Sequence, residues 1–411
     1  MTVHAAAPAG ERMLSGVRVL DFTQYVAGPT ATRLMAELGA DVIKVEQGPG
    51  GDPSRTLPYV RDGRSAYFVQ QNRGKRSLCV DLQKPEAVDL LRRLAGAVDV
   101  VVENYGPGVL ERRGLDYATL QALNPRLIMA SVSAFGRTGP LADRVGFDLI
   151  AQAFSGLVDM TGDPGGPPSW ASVALADGNG GVHAFAALGY ALYHRERTGR
   201  GQHIDISLVD ALYHLHEINV QLYANSGGAH VPSRCGSRHP LLGPYGVYRG
   251  PKGWIALLVL DRQWPALVRA LERPELLDDP RFGSGAARGQ HRDVLAALIE
   301  DWMQRFPDDD AVLARLEAHR VPCAPVLSVA ATVDHPHFRA RDMLREVPDP
   351  VLGTVTIPGF PLKFSAFPEL PDLRAPLLGE HNAEVLEELL GLDPETTATL
   401  LERGVLHRGA T

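Results

Sequence analysis

Short β-branched runs alternate with helix-patterned stretches between residues 17 and 133, and this alternation restricts the chain to few folds. Val17-Arg18-Val19-Leu20-Asp21 reads as a strand. Pro29 can open a helix at its first turn, and Leu34, Met35 and Leu38 recur at helical spacing over Thr30–Leu38. Gly39 ends that helix, and Asp41–Glu46 supplies a second strand. Two strands joined this way require parallel pairing and a right-handed crossover. The pattern continues with a strand over Ser77–Leu82, a helix over Pro85–Leu94, and strands over Asp99–Glu103, Arg126–Ser133 and Asp205–Ser207. The fold class expected is α/β: a Rossmann-like doubly wound parallel sheet in a large domain. Glu46 stands where dinucleotide-binding folds place an acid for a ribose hydroxyl. The G-x-G-x-x-G turn is nevertheless missing after the first strand, so no nicotinamide or flavin site is expected.

Composition changes near residue 225, where Asn225–Pro244 is rich in Gly, Ser, Pro and Arg. A hairpin about Gly250-Pro251-Lys252-Gly253 follows, then helices near Trp264–Leu271, Val294–Gln304 and Ala311–Ala318. The expected organisation is a large Rossmann-like domain at 14–200, a linker at 201–225 and a smaller α+β domain at 226–325. A Pro-rich return linker at 326–395, holding a helix over Asn382–Leu390, leads to a C-terminal segment at 396–411 that rejoins the large domain.

A formal charge of -7 excludes a broad nucleic-acid footprint, which needs a basic excess. Cys79, Cys235 and Cys323 are far apart and suggest neither a disulfide framework nor a zinc site. The opening MTVHAAAPAGERM reads as a frayed tail rather than a signal peptide, and no apolar run has the length of a membrane span. A cytoplasmic protein without membrane or nucleic-acid partners is expected.

The most suggestive local stretch is Ala176-Asp177-Gly178-Asn179-Gly180-Gly181, an acid at the mouth of a glycine loop before the apolar helical run Val182–Tyr193. Helix capping is the commoner role for such an Asp; anion or substrate chemistry at a helix start is the other. Basic and amide side chains also recur after successive strands: Arg55, Lys75 with Arg76, Asn104 with Arg112 and Arg113, and Arg137 with Arg144. Singly these read as solvated charges. As a set beyond the strand ends they can form a mouth for a phosphorylated molecule. His183 reads as a core histidine, and His214 and His216 point different ways on a helix. No metal is expected.

The ordered segments LSGVRVLDFTQYVAGP (14–29), LGADVIKVE (38–46), NRGKRSLCVDL (72–82), VENYGPGVLERRGL (102–115), ADGNGGVHA (176–184) and APLLGEHNAEVL (375–386) resemble the class III CoA-transferase family. That family includes formyl-CoA transferases, carnitine CoA-transferases and the related α-methylacyl-CoA racemases. The resemblance implies that Asp177 is a nucleophile. It would form an aspartyl–acyl anhydride and then an aspartyl-CoA thioester while moving CoA from an acyl-CoA to a small carboxylic acid, with no tightly bound cofactor. It places Lys75, Asn104, Arg112 and, more loosely, Arg144 at CoA-contacting positions. Arg55 and Arg76 join them on electrostatic grounds. An Asp at its ordinary value of about 3.9 is already ionised at neutral pH. Backbone N–H groups of Gly178, Gly180 and Gly181 are the expected oxyanion donors.

Val26 stands where formyl-CoA transferases carry a glutamine, and Phe147 where racemases carry a histidine; both are assigned to the substrate pocket. Phe147 cannot transfer a proton, which leaves racemase chemistry as an alternative beside a non-catalytic CoA-binding protein. The resemblance also implies an interlocked homodimer, each chain threading the other.

Overall fold

The computed structural model describes residues 12–371 and 373–409. The first eleven residues of the expected tail, and residues 410 and 411 of the C-terminal segment, lie outside them. Six strands form one sheet: β1 (Arg18–Asp21), β2 (Asp41–Gln47), β3 (Lys75–Val80), β4 (Val100–Glu103), β5 (Ile128–Ser133) and β6 (His203–Ser207), in the order β3-β2-β1-β4-β5-β6. Every pairing is parallel. This is the doubly wound order whose direction reverses between β1 and β4, so a crevice opens beyond the carboxyl ends of those two strands. The order arises although the glycine fingerprint is absent. β-branched runs such as Val100-Val101-Val102 are wholly buried, as strands covered on both faces must be.

The helix α1 (Ala27–Glu37) crosses from β1 to β2, and α2 (Pro85–Gly96) follows β3. After β5 come α3 (Asp148–Phe154) and the long α4 (Leu175–Thr198), with α5 (Leu208–Tyr213) after β6. The expected linker at 201–225 is therefore largely structural: His203–Ser207 is the sixth sheet strand, and Leu208, Ala211 and Leu212 are buried. The expected return linker is also folded. It contains an antiparallel hairpin, Leu344–Asp349 with Gly353–Pro358, whose Val347, Val355 and Ile357 pack with Phe68 and Val69. The helix Asn382–Leu390 seats Val385 and Leu386 in the core beside Leu78 and Val80.

The chain divides into two compact units. One runs through residue 155, continues at 171–217 and resumes at 337; the other comprises 156–170 and 218–336. The second is thus discontinuous and wider than 226–325. It holds the hairpin Tyr245–Arg249 with Trp254–Leu258, an antiparallel third strand at Cys323–Pro325, and helices that bury Trp264, Leu267, Ile299 and Leu316. Among the described residues no helix is long and apolar enough to cross a membrane.

Beneath the crevice lies a buried ionic cluster. Asp21, at the end of β1, accepts from Thr23 N (2.9 Å) and Thr32 Oγ1 (2.9 Å), and from Lys75 Nζ at 2.8 Å. Lys44 Nζ donates to Thr23 O and lies 2.7 Å from Asp52. The cluster ties the loop after β1 to α1 and to the turn at Pro53–Thr56. Burial pushes the Asp21 carboxyl up, but Lys75 and Lys44 hold it below the usual carboxylate range. Burial pulls the Lys75 ammonium down to about 8, against the attraction of Asp21. Lys75→Met leaves Asp21 without its direct ion pair, and a loss of about 3 kcal/mol in denaturant unfolding is expected. The folded variant is expected to bind CoA as wild type does, which separates a structural lysine from a ligand contact.

Candidate active site

A cavity of about 380 Å³ opens at the switch point, lined by residues that include Gln24 and Tyr25 after β1, Asn104 and Tyr105 after β4, Ser133 at the end of β5, Arg144 and Phe147 before α3, and Asp177. Its floor is stitched across the reversal point. Asn104 Oδ1 accepts from Gln24 N at 2.7 Å, and Asn104 Nδ2 donates to Gln24 O at 2.8 Å. This amide joins the two loops, so the position is structural as well as open to a ligand. Tyr25 holds a left-handed φ of 62°, a conformation that costs a non-glycine residue energy and clusters at functional sites. Its ring meets Phe147 edge-on, with centroids 6.2 Å apart.

Asp177 enters the wall from the first turn of α4. This helix begins at Leu175, seven residues ahead of the expected start at Val182, so the glycines are not a loop before the helix but part of it. Gly178 N donates to Ala174 O at 2.9 Å. The N–H groups of Gly180 and Gly181 lie inside the helical ladder, which takes them. The expectation that these groups face the substrate as oxyanion donors is corrected on that ground. Two of the glycines instead permit close packing: a Cβ on Gly181 would fall 2.4 Å from Ala27 O, and one on Gly180 2.4 Å from Leu208 Cδ2. Gly178 faces open space.

The Asp177 carboxylate caps nothing and accepts no hydrogen bond among the described residues. The second and third N–H groups of α4 go to Asp148, whose Oδ1 accepts from Ala176 N at 2.7 Å and Asp177 N at 3.2 Å, and Leu175 N goes to Val173 O. Burial pushes Asp177 up to about 7, and the neighbouring Asp148 charge pushes the same way. The expected ordinary carboxylate value is therefore corrected: near neutrality this acid is poised between its two forms.

The predicted basic set divides. Arg144 lines the cavity, is exposed and has no carboxylate partner among the described residues. Arg112 is exposed, with its guanidinium lying over Gly108, two residues from the lining Gly106. Lys75, Arg76, Arg55 and Arg137 are committed elsewhere. Lys75 begins β3, at the opposite end of the strands from the crevice, and its Nζ is buried on Asp21, Thr32 and Asn72. Arg76 pairs with Asp41, Glu384 and Glu388. Arg55 grips Glu46 through two 2.7 Å bonds and lies 3.7 Å over the Phe68 ring. Glu46 is thereby committed to Arg55 and Ser77 rather than to a ribose. Arg137 pairs with Glu103 and Glu111.

Of the two pocket residues, Phe147 lines the cavity and is 68% exposed. Val26 directly precedes α1, and the lining comes from Tyr25 and Ala27 on either side of it. His183 Nδ1 is bonded to Asn179 O at 2.9 Å, and no acidic or thiol cluster fit for a metal occurs among the described residues. Gln24, Tyr25, Tyr105 and Asp148 were passed over in the sequence. Gln24, Tyr25 and Tyr105 lie inside segments that carry the family resemblance and Asp148 outside all of them, and nothing in the spacing of the four sets them apart.

The model of CoA-transferase family III matches residues 14–382. The chain is 40% identical over 386 residues to the succinyl-CoA:mesaconate CoA-transferase of Haloarcula hispanica, covering 91% of this chain and 96% of that one. It is 37% identical over 400 residues to the succinyl-CoA–D-citramalate CoA-transferase of Chloroflexus aurantiacus, covering 96% and 98%. The crystal structure of a CAIB/BAIF family protein from Brucella suis superposes with a TM-score of 0.80 at 38% identity, covering 92% of this chain and 99% of that one. With a parallel α/β fold and matches running nearly end to end, the chain belongs to CoA-transferase family III.

Proposed function

We propose that Asp177 carries CoA transfer between an acyl-CoA and a small carboxylic acid through covalent intermediates. The observation that carries this reading is a carboxylate in the cavity wall with no hydrogen bond of its own, poised near neutrality. An Asp177 oxygen attacks the thioester carbonyl, the C–S bond breaks, and CoA thiolate leaves a mixed anhydride. The thiolate then attacks the Asp177 carboxyl carbon, expelling the first acid and leaving an aspartyl-CoA thioester. The acceptor carboxylate attacks that same carbon and frees the thiolate, which takes the new acyl group and restores Asp177. Activation stays in covalent bonds throughout, so the site's task is to exclude water and stabilise oxyanions. Arg144 and Arg112, both without carboxylate partners among the described residues, suit the phosphates of CoA. With the glycine N–H groups taken by the helix, the side-chain donors around the cavity (Gln24, Tyr25, Asn104) are the better candidates to meet the oxyanion.

A homodimer is part of the proposal. Val182, Tyr190 and Tyr193 share one face of α4 and are 50%, 77% and 61% exposed, an apolar face suited to a second copy. Light scattering at micromolar concentration is expected to give twice the chain mass, and a monomer would count against the interlocked assembly.

Incubation with acyl-CoA and hydroxylamine is expected to leave a hydroxamate on Asp177, read by peptide mass spectrometry. Asp177→Asn is expected to lose at least about a thousandfold in turnover, as removed nucleophiles do; full turnover in this variant sinks the covalent scheme.

The pH dependence has a definite sign. The attacking form is the ionised one, so kcat/KM for acyl-CoA rises with pH along a limb that bends near 7. Stability runs the other way. A folded-state value raised above the unfolded one gives stabilisation that is present below the ordinary carboxylate range and lost as pH rises through about 7. Asp177→Asn is therefore expected to melt several degrees above wild type at pH 8, with the difference fading toward pH 4.

A further inference from the structure

Asp177 sits in the first turn of a long helix, where free backbone N–H groups ordinarily claim a nearby carboxylate. Here they have another acceptor. Asp148 Oδ1 takes Ala176 N at 2.7 Å and Asp177 N at 3.2 Å. Asp148 Oδ2 takes Gln152 Nε2 at 2.7 Å, and that fully buried glutamine is itself fixed by Ala171 N, which donates to its Oε1 at 3.0 Å. Asp148 is thus held by one turn of α3 and aimed at the start of α4. Phe147, directly before it, lines the cavity.

We propose that Asp148 is a positioning residue: it satisfies the opening N–H groups of α4 in place of Asp177, leaving the Asp177 carboxylate unbound in the cavity wall. The inference rests on the covalent reading of Asp177 and adds what makes that carboxylate available. A carboxylate gripped by helix N–H groups is stabilised as an anion, and is a weaker base and nucleophile for it. Asp148 has a second effect, because its own charge opposes ionisation next door. The other groups facing Asp177 are few. They are the phenol of Tyr67 on the helix Ala66–Asn72, neutral throughout because burial pushes it up to about 12, and Arg144 in the shared cavity wall. His183, further along α4, is turned to Asn179 O.

The two effects separate by substitution. Asp148→Asn keeps an acceptor oxygen for both N–H groups and removes the charge. The titration of Asp177 is expected to move down by about one pH unit, the usual size for losing a like charge at contact range. Asp148→Ala removes the acceptor as well. Asp177 then turns onto the freed N–H groups, its titration falls further, and formation of the acyl-enzyme above the acid limb slows on the order of tenfold.

The direct readout is the infrared carbonyl band of protonated Asp177 followed against pH, identified by its loss in Asp177→Asn and needing no turnover. The acid limb of kcat/KM is the second readout. A band that titrates no lower in Asp148→Ala than in Asp148→Asn overturns the inference, as does an Asp148→Ala enzyme that forms acyl-enzyme at the wild-type rate. Should Asp148→Ala fail to fold, Asp148→Leu, which fills the same space without an acceptor, is compared with Asp148→Asn in its place. Failure of the covalent reading appears elsewhere, as the absence of a hydroxamate on Asp177 in wild type.

Discussion

The contact between Asp148 and the N–H groups of Ala176 and Asp177 is the interaction on which the site turns, because a helix start and a carboxylate beside it compete for the same bonds. A helix leaves its first four N–H groups without intrahelical partners. An Asp three residues into such a helix is the natural candidate to supply them. In this chain a second carboxylate, brought from α3 and braced by Gln152, accepts from two of them, Ala176 N and Asp177 N, while Leu175 N and Gly178 N go to the carbonyls of Val173 and Ala174. Asp177 is left with no hydrogen bond to its carboxylate among the described residues, in a half-buried wall, pushed up to about 7 by burial and by the neighbouring Asp148 charge.

Around that contact the architecture is organised to hold loops still. The reversal of strand order between β1 and β4 opens the crevice, and Asn104 sews its two edges together with a pair of bonds to Gln24. Below it, Asp21, Lys44, Asp52 and Lys75 form a closed ionic cluster whose members have almost no exposure. Burying such charges is costly unless each is paired and hydrogen-bonded, and here each is. The glycines of the ADGNGG stretch serve the same end. Gly181 brings α4 against the backbone of α1, and that close approach keeps Asp177 at a fixed depth beside the loop that carries Tyr25.

The division among the basic residues has an electrostatic logic. Lys75, Arg76, Arg55 and Arg137 are each matched to carboxylates of their own chain, so they shape the protein rather than its ligand field. Arg144 and Arg112 are left without such partners among the described residues, one in the cavity wall and one over Gly108, near its rim. Two unpaired guanidinium groups therefore stand at or near the mouth in a chain whose net charge is negative, an arrangement that suits the phosphorylated substrate proposed above without making the whole surface sticky for polyanions.

By itself the sequence determined the alternation of strand and helix, the parallel sheet, the second unit with its hairpin and helices, and the segments that mark the family. These are properties of periodicity and of contiguous motifs, and periodicity survives without coordinates. Helix Trp264–Leu271 and helix Asn382–Leu390 are found with the bounds the pattern gives. Only the tertiary structure decided which basic side chains are free, because pairing joins residues as distant as Arg76 and Glu388. It alone decided that Gly178, Gly180 and Gly181 lie inside a helix, since packing against Ala27 and Leu208 overrides the poor helix propensity of glycine. It alone decided the state of Asp177, because ionisation depends on burial and on Asp148, a residue 29 positions away that no local pattern connects to it.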